Sequence, residues 1–275
     1  MEKYSVLASL YKNSVKSEVQ EALDSIFNQT YTPDQIVLVF DGPIPQDTRE
    51  YIEQLANTNK TIEIVDLVEN RGLGRALAAG MEHCKNEIVI RVDTDDISIP
   101  TRCEKQVEYL MDHPECGAMS SNILEFIGTI DNVVAERDVP ETHEAICQYL
   151  KKRCPLNHMA AALRKSEVEK AGGYQHWYLD EDSYLWVRMY LAGSKFYNIQ
   201  EDLVYARVGA DMYARRGGYK YYKSERDLFK FMRKNKVIGW FGYIEAIAIR
   251  FVVQVLMPNG IRQWFFKTFA RRGKK

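Results

Sequence analysis

Residues 87–96 read EIVIRVDTDD, a β-branched run that passes directly into three carboxylates, Asp93, Asp95 and Asp96. A short, continuously apolar run of this kind is typical of a strand buried on both faces of a sheet. We therefore expect the carboxylates at the carboxyl end of that strand, where α/β sheets bind their ligands. Three such groups repel one another unless a cation is present, and a hard divalent ion held there also binds the phosphates of a nucleotide diphosphate. Taken alone, the cluster is equally consistent with a solvated acidic turn that caps the next helix.

The sequence before this stretch repeats the same kind of strand and separates the strands by segments of helical period. Strands are predicted at 4–10, 35–40, 62–67 and 87–92, and helices up to residue 27, at 47–57 and at 74–84. Ser17 precedes the first helical stripe and is its predicted N-cap. The β-α-β-α-β order predicts an α/β fold with a doubly wound, mostly parallel sheet of Rossmann-like type.

The second half of the chain has a looser pattern. A helix is predicted at 101–112, and residues 113–160 carry glycines and prolines among short predicted strands and one helix. Helical period returns at 181–192, and from about residue 219 the chain is predicted to be helical, basic and aromatic. The sequence thus predicts one α/β body followed by C-terminal helices.

Charge and cysteine content narrow the class of protein. The formal net charge is -1, yet residues 205–275 hold 17 Lys and Arg against 4 Asp and Glu, so the body is acidic and the tail basic. The 5 cysteines show no Cys-x-x-Cys spacing, which indicates neither a disulfide framework nor a zinc site and favours a cytoplasmic compartment. No run of about 18 uncharged apolar residues is present, and we expect no spanning helix.

Two turns in the first half are further candidates for a ligand site. Asp41 ends the second strand in VFDG (residues 39–42), where its carboxylate can accept a nucleobase N–H, although a turn-forming Asp-Gly is the simpler explanation. The turn NRGLGR (residues 70–75) lies between a strand and a helix, so its glycines allow close backbone approach and Arg71 and Arg75 can meet phosphate. It lacks the spacing of dinucleotide-binding and phosphate loops and is by itself a weak indicator.

A second acidic cluster, Asp180-Glu181-Asp182, begins the helix predicted at 181–192. Acidic residues in a first turn complement the helix macrodipole, which is sufficient reason for them to be there. Asp182, however, shares a helical face with Trp186 and is predicted to turn inward, where it can act as a general base toward an acceptor hydroxyl.

In chain order, these positions resemble the family 2 glycosyltransferases of the GT-A fold over about residues 3–210. The matching segments are Leu10-Tyr11-Lys12-Asn13, residues 25–31, 39–42, 70–72 and 93–96, His158, Gly172-Gly173-Tyr174, and Glu181-Asp182 followed by Leu185-Trp186. Each segment is common by itself, so the ordered set carries the resemblance.

The resemblance implies a donor site for a nucleotide diphosphate-sugar, most simply a UDP-sugar. Tyr11 and Asp41 are then expected at the nucleobase, and Asp93 and Asp95 at the ribose and phosphates. The family usually has a Pro-Thr-Tyr-Asn type of sequence after the first strand, whereas this chain has SLYKN at residues 9–13, which leaves the contact of Tyr11 open.

The resemblance also implies a metal ion and phosphate-binding arginines. Asp96 and Asp95 are expected to bind Mn²⁺ or Mg²⁺. Arg71 and Arg75 are expected near the diphosphate.

For the acceptor side, the resemblance implies that Asp182 is the catalytic base of an inverting transfer. Glu181, His158 and Trp186 are expected near the acceptor, and Arg207 and the run at 215–218 lie where acceptor or diphosphate contacts are also expected. The Gln-x-x-Arg-Trp motif of processive members is absent after Asp182, so we expect transfer of a single sugar. The resemblance also implies a role in bacterial surface polysaccharide synthesis. The implied divisions are a nucleotide-sugar-binding half at 1–110, an acceptor-binding half at 111–218 and a C-terminal helical region at 219–275.

The tail at 237–275 mixes aromatic and basic residues, which suits a helix lying on an anionic membrane surface. A lipid-linked saccharide acceptor is found at such a surface, so we expect a peripheral protein on the cytoplasmic face. Packing of these helices on the catalytic domain or on a second subunit is the alternative, whereas nucleic acid is not expected because no binding motif is present. The sequence is also consistent with two rival functions: a nucleotidyltransferase, and a non-catalytic, membrane-associated assembly subunit that retains the nucleotide-sugar fold.

Overall fold

The computed structural model describes residues 1–209, 217–258 and 260. Its strands are β1 (Tyr4–Leu10), β2 (Gln35–Asp41), β3 (Ile62–Leu67), β4 (Ile88–Asp93), β5 (Ile97–Ser98), β6 (Cys116–Phe126), β7 (Val133–Arg137), β8 (Ala162–Arg164) and β9 (Lys195–Arg207). Its helices are α1 (Lys16–Phe27), α2 (Gln46–Thr58), α3 (Leu73–His83), α4 (Arg102–Asp112), α5 (His143–Leu150), α6 (Lys165–Lys170), α7 (Glu181–Leu191), α8 (Tyr219–Lys234) and α9 (Trp240–Phe251). The strands and helices predicted up to residue 112 are confirmed, with ends within about two residues.

The strands of the described residues form one sheet in the order β3-β2-β1-β4-β8-β6-β9-β5, with β7 paired to β6. The pairs β1·β2, β2·β3 and β1·β4 are parallel, as the β-α-β order predicts. The sheet therefore extends in opposite directions from β1, and the boundary between β1 and β4 is the point at which ligands of doubly wound sheets bind.

Alternate residues of the central strands face opposite layers of helices. On β1, Val6 and Ala8 pack with α1, α2 and α4, whereas Leu7 packs with α3 and α7. Both faces are covered, which explains why the strand sequences are apolar throughout rather than alternating.

Beyond β4 the sheet becomes mixed. β8 runs antiparallel to both β4 and β6, while β6 and β9 are parallel along most of their lengths. β6 has 11 residues and β9 has 13, so the expectation of only short strands between 113 and 160 is wrong for β6. β9 then pairs with β5 just after the acidic cluster, which brings Arg207 to that cluster.

The C-terminal helices α8 and α9 pack on the face of the sheet that also carries α3 and α7, through residues that include Leu228, Phe229 and Met232. Within the described ranges, no helix combines the length and apolarity needed to cross a bilayer. The arginines at 215 and 216, and the part of the basic, aromatic tail from residue 261 onward, lie outside the described residues.

One predicted helix cap is wrong. α1 begins at Lys16, with Val15 at the N-cap position and no side-chain cap hydrogen bond, so Ser17 lies inside the first turn. The helix therefore starts two residues earlier than predicted, directly after a tight turn in which Ser14 N–H donates to the Tyr11 carbonyl.

Candidate active site

The carboxyl ends of β1, β2 and β4 meet at one edge of the sheet. Tyr11 directly follows β1, Asp41 is the last residue of β2, and Asp93 is the last residue of β4. Ser9 and Asp93 are register partners across the β1·β4 pair. The topology thus brings together the side chains that the sequence places at the ends of separate strands.

The three carboxylates after β4 form a tight cluster. Asp93, Asp95 and Asp96 each offer an oxygen atom, and these atoms lie within 4.8 Å of one another. Burial, followed by the charges of Asp95 and Asp93, raises the pKa of Asp96 well above its ordinary value. Burial of the carboxyl group and the charge of Asp93 raise the pKa of Asp95 to about 6, although part of that residue remains exposed. Three mutually repelling oxygen ligands fit a hard divalent cation such as Mn²⁺ or Mg²⁺, whose charge removes the repulsion.

Arg91 is a buried cation beneath this cluster and was not among the residues predicted from the sequence. Its Nη2 donates to Asp93 Oδ1 at 2.5 Å, while its buried Nε and Nη1 have no hydrogen-bond partner among the described residues. Its charge also acts on Tyr174 and on Glu181. The available signal was the arginine itself, because arginine inside an apolar strand is almost never fully buried unless it is paired.

Arg207 holds the other end of the cluster. Its backbone N–H donates to Asp96 Oδ1 at 2.7 Å, and its Nε donates to the carbonyl of Asp95 at 3.0 Å. Its guanidinium also forms ion pairs with Glu18 and Glu21 of α1. These contacts engage both the backbone and the guanidinium of Arg207 within the protein, and the acceptor or diphosphate contact expected for Arg207 stays a prediction.

Asp41 fixes the loop of residues 70–75, which we call the donor loop. Asp41 Oδ1 accepts the Arg71 N–H at 2.6 Å, and Oδ2 accepts the Gly72 N–H at 3.0 Å and Asn70 Nδ2 at 2.9 Å. Gly42 lies so close to this loop that a Cβ atom on it would be 2.4 Å from the Asn70 nitrogen. The carboxylate therefore shapes the donor loop, and a nucleobase contact through its remaining lone pairs stays a prediction.

Three other predicted donor contacts are exposed at this edge. Tyr11 is 41% exposed, and Arg71 and Arg75 are exposed as well. Arg71 Nε is 3.7 Å from Glu69 in an exposed pair, which contributes little to stability. Both arginines are therefore available to a ligand, and their contact with phosphate stays a prediction.

The second acidic cluster lies at the start of α7, against the donor loop. A Cβ atom built on Gly74 would be 3.1 Å from Glu181 Cβ. Burial, followed by the charge of Asp182, raises the pKa of Glu181 to about 7, with a further contribution from Asp93 of the first cluster. Asp182 is half-buried, and Cys154 Sγ donates to its Oδ2 at 3.4 Å. The charge of Asp93 thus reaches Glu181, so the two acidic clusters lie near enough to belong to one candidate site.

Two residues expected near the acceptor are buried in the protein core. Trp186 has 0% exposed surface, so it has no surface with which to contact an acceptor in this conformation. His158 is also buried, its Nε2 lies 2.9 Å from the Tyr174 hydroxyl, and burial lowers its pKa well below the ordinary value. A neutral, hydrogen-bonded His158 packs edge-on against Trp186 and so contributes to the core beneath α7. Helical periodicity correctly predicted that Trp186 faces inward. It could not show whether an inward-facing residue belongs to the core or lines a ligand site.

Comparisons with known proteins agree with this geometry. Residues 5–170 match the family model described as glycosyl transferase family 2. An uncharacterised glycosyltransferase of Haemophilus influenzae is 39% identical over 98% of this chain and 100% of its own length. The amylovoran biosynthesis glycosyltransferase AmsE of Erwinia amylovora is 36% identical over 96% of this chain and 98% of its own. The UDP-Gal:alpha-D-GlcNAc-diphosphoundecaprenol beta-1,3-galactosyltransferase of Escherichia coli is 33% identical over 98% of this chain and 97% of its own.

Solved structures with low sequence identity share the fold. S. aureus TarS 1-349 in complex with UDP-GlcNAc superposes with a TM-score of 0.68 at 16% identity, covering 96% of this chain and 75% of that one. The Pyrobaculum calidifontis mannosyltransferase PcManGT, in complex with GDP-Man and Mn²⁺, gives a TM-score of 0.63 at 18% identity over 95% and 72% of the two chains. The family match together with relatives that align over nearly their whole length shows that this chain belongs to glycosyltransferase family 2 and has the GT-A fold.

Proposed function

We propose that this glycosyltransferase transfers a single sugar from a UDP-sugar to a hydroxyl of a lipid-linked saccharide, with inversion, in the synthesis of a bacterial surface polysaccharide. The observation that carries the proposal is the clustering of Asp93, Asp95 and Asp96 within 4.8 Å at the end of β4, beside the carboxylates that begin α7. The E. coli relative is named for a UDP-galactose donor and a diphosphoundecaprenol-linked acceptor, and AmsE for amylovoran biosynthesis, which supports these classes of substrate and product.

On the donor side, Tyr11 and Asp41 hold the nucleobase, Asp93 and Asp95 orient the ribose and phosphates, and the exposed arginines of the donor loop contact the diphosphate. Asp96 and Asp95, with Asp93 beside them, hold Mn²⁺ or Mg²⁺. When bound, that ion neutralises the charge that develops on the departing diphosphate. Arg91 and Arg207 keep the carboxylates in place for this contact.

On the acceptor side, Asp182 takes the proton of the attacking hydroxyl. The acceptor oxygen forms its bond to the anomeric carbon from the face opposite the diphosphate, and the bond to the diphosphate breaks, so the configuration inverts. The base is half-buried at the start of a helix whose core residues, including Trp186, are buried. General-base catalysis of this kind accelerates reactions by about 10² to 10⁴.

Calorimetric titration with UDP and with GDP, each with and without Mn²⁺, tests the donor site. Wild-type protein is expected to bind UDP in a metal-dependent manner, and Asp96→Asn is expected to lose that dependence. Asp112→Asn, at an exposed aspartate that ends α4, is the matched control and should bind as the wild type does. Absence of any metal-dependent binding of a nucleotide diphosphate to the wild type would exclude this donor site.

Transfer from UDP-sugars to an undecaprenyl diphosphate-linked acceptor tests the base. Asp182→Asn is expected to lower kcat by about 10² to 10⁴ while UDP binding persists, because the substitution removes the proton acceptor but no donor contact. Wild-type turnover by this variant would remove Asp182 from the mechanism.

We propose in addition that α9 rests on an anionic membrane surface, where a lipid-linked acceptor is presented. Its exposed side includes Trp240, Phe241, Ile244 and Ile249, and Phe241 is 92% exposed. The guanidinium of Arg233 lies 3.9 Å from the centre of the Trp240 ring, so cationic and aromatic groups meet on this surface. Aromatic and basic residues together favour the interface of an anionic bilayer.

Sedimentation with phosphatidylglycerol vesicles tests the membrane contact. The double variant Phe241→Ser and Ile244→Ser is expected to reduce the bound fraction at least about tenfold, since each side chain contributes about 1.5–3 kcal/mol when fully buried. Val68→Ser, which alters an equally exposed apolar residue after β3, is the matched control. Equal sedimentation of the double variant and the wild type would refute this role of α9.

A further inference from the structure

The segment of residues 174–180 lies between α6 and α7, has no regular secondary structure and leads directly to Glu181 and Asp182. Leu179 in this segment has a φ of 59°, a left-handed conformation that is sterically unfavourable for a residue with a Cβ atom. Within the described ranges, only Lys236 shares this property among the non-glycine residues. The Leu179 side chain is exposed, so contacts made by its neighbours must maintain the conformation.

Helix α8 supplies these contacts on the amino-terminal side of Leu179. The Ser224 hydroxyl donates to the Tyr178 carbonyl at 2.7 Å, and Trp177 Nε1 donates to the Ser224 carbonyl at 3.2 Å. Ser224 is buried, and both hydrogen bonds are partly shielded from competing water. One residue of α8 therefore holds two consecutive residues that come directly before Leu179.

Helix α8 also contacts the residue that follows Leu179. The Tyr221 hydroxyl lies 3.5 Å from Asp180 Oδ1, and the Asp180 side chain is buried at the start of α7. Burial, followed by the nearby charge of Glu225 on α8, raises the pKa of Asp180 well above its ordinary value. Leu179 is thus the one residue between two attachments to the same helix.

We propose that Ser224 and Trp177 are positioning residues for sugar transfer: they hold Leu179 in its left-handed conformation and so fix the direction in which α7 presents Asp182. This inference rests on the proposed function, because it takes Asp182 to be the base. Relaxation of Leu179 to an ordinary φ near about −60° rotates the chain at that residue by about 120°, which displaces the start of α7 relative to the donor loop. A displacement of about 1 Å at a reacting group lowers the rate by about 10².

Ser224→Ala and Trp177→Phe each remove the donor of one of these two hydrogen bonds and largely keep the packing of the side chain. Each is expected to lower kcat at least about tenfold while the affinity for UDP with Mn²⁺ changes less than about twofold, because the proposed donor contacts lie on β1, β2, β4 and the donor loop. Adding Leu179→Gly to Ser224→Ala is expected to restore kcat at least about threefold, since glycine adopts positive φ without steric cost. Ser166→Ala, at an exposed serine of α6, is the matched control.

Hydrogen exchange of peptides that cover 174–182 provides a readout independent of turnover. Faster exchange there in Ser224→Ala, together with the loss and rescue of kcat, supports the inference. A kcat within about twofold of wild type in both single variants, or a loss that Leu179→Gly does not relieve, overturns it. If Asp182→Asn retains wild-type kcat, the proposed base is wrong and this inference fails with it. If Asp182→Asn is inactive while Ser224→Ala is fully active, only the positioning role is refuted.

Discussion

Glu181→Gln is predicted to make the metal-free protein more stable at neutral pH and to leave its stability in acid almost unchanged. Burial and the charge of Asp182 raise the pKa of Glu181 from 4.5 to about 7. Between those two pH values the folded protein binds more protons at this site than the unfolded chain does, so the site makes the wild type less stable as pH rises. One pKa unit corresponds to ~1.36 kcal/mol, so the full penalty well above pH 7 is at most about 3.4 kcal/mol. A glutamine side chain at this position cannot ionise and avoids this penalty.

The assay is urea unfolding in EDTA at pH 4.5, 6, 7 and 8 for wild type and variant. The difference in the free energy of unfolding should grow from near zero at pH 4.5 to about 2–3 kcal/mol at pH 8, a rise in melting temperature of roughly 5–10 °C at neutral pH. Glu108→Gln, at an exposed glutamate of α4, should show a difference that does not vary with pH in this way. A Glu181→Gln difference that is the same at pH 4.5 and pH 8 would refute the argument that this carboxylate is buried beside another charge.

Three further predictions concern other parts of the molecule. Asp96→Asn should raise the melting temperature of the metal-free protein, because it removes a buried carboxylate beside two others. The same variant should lose the stabilisation that Mn²⁺ with UDP gives the wild type, and thermal melts with and without both ligands measure both effects. Gly74→Ala should cost about 1–3 kcal/mol in urea unfolding, because its Cβ atom would lie 2.5 Å from the Gln175 carbonyl oxygen, whereas Gly242→Ala on α9 should not, since the nearest atom there is 3.8 Å away. Burial raises the pKa of Cys84 from 9.0 to about 12, so at pH 8 the native protein should alkylate at this thiol about 1000-fold more slowly than the urea-unfolded chain, as measured by mass spectrometry.

The donor half of the site was predictable from sequence because strand order determines it. Asp41 and Asp93 each end an apolar run, and parallel strands of a doubly wound sheet bring such ends to one edge. The sequence could not reveal that the Asp41 carboxylate accepts three hydrogen bonds from the donor loop, since two of the donors are backbone N–H groups, which leave no signal in the residue pattern.

The acceptor half was harder to predict because its strands pair over long sequence separations. β6 and β9 run parallel, and neither their lengths nor their pairing follows from local periodicity. The burial of His158 and Trp186 could not be predicted for the same reason. Their positions match the family pattern, but their burial depends on helices and strands distant in sequence. The two glutamate partners of Arg207 could not be predicted either, since they depend on how α1 lies against the end of β9.

The hydrogen bond from Arg207 to Asp96 joins residues 111 positions apart and has a consequence for biosynthesis. A chain emerging from the ribosome carries all three carboxylates long before it carries the strand that fixes one of them. Nascent chains arrested before residue 207 should therefore be retained poorly on immobilised nucleotide, and those arrested well after it should be retained. Retention on nucleotide would then begin only after the strand that carries Arg207 has joined the sheet.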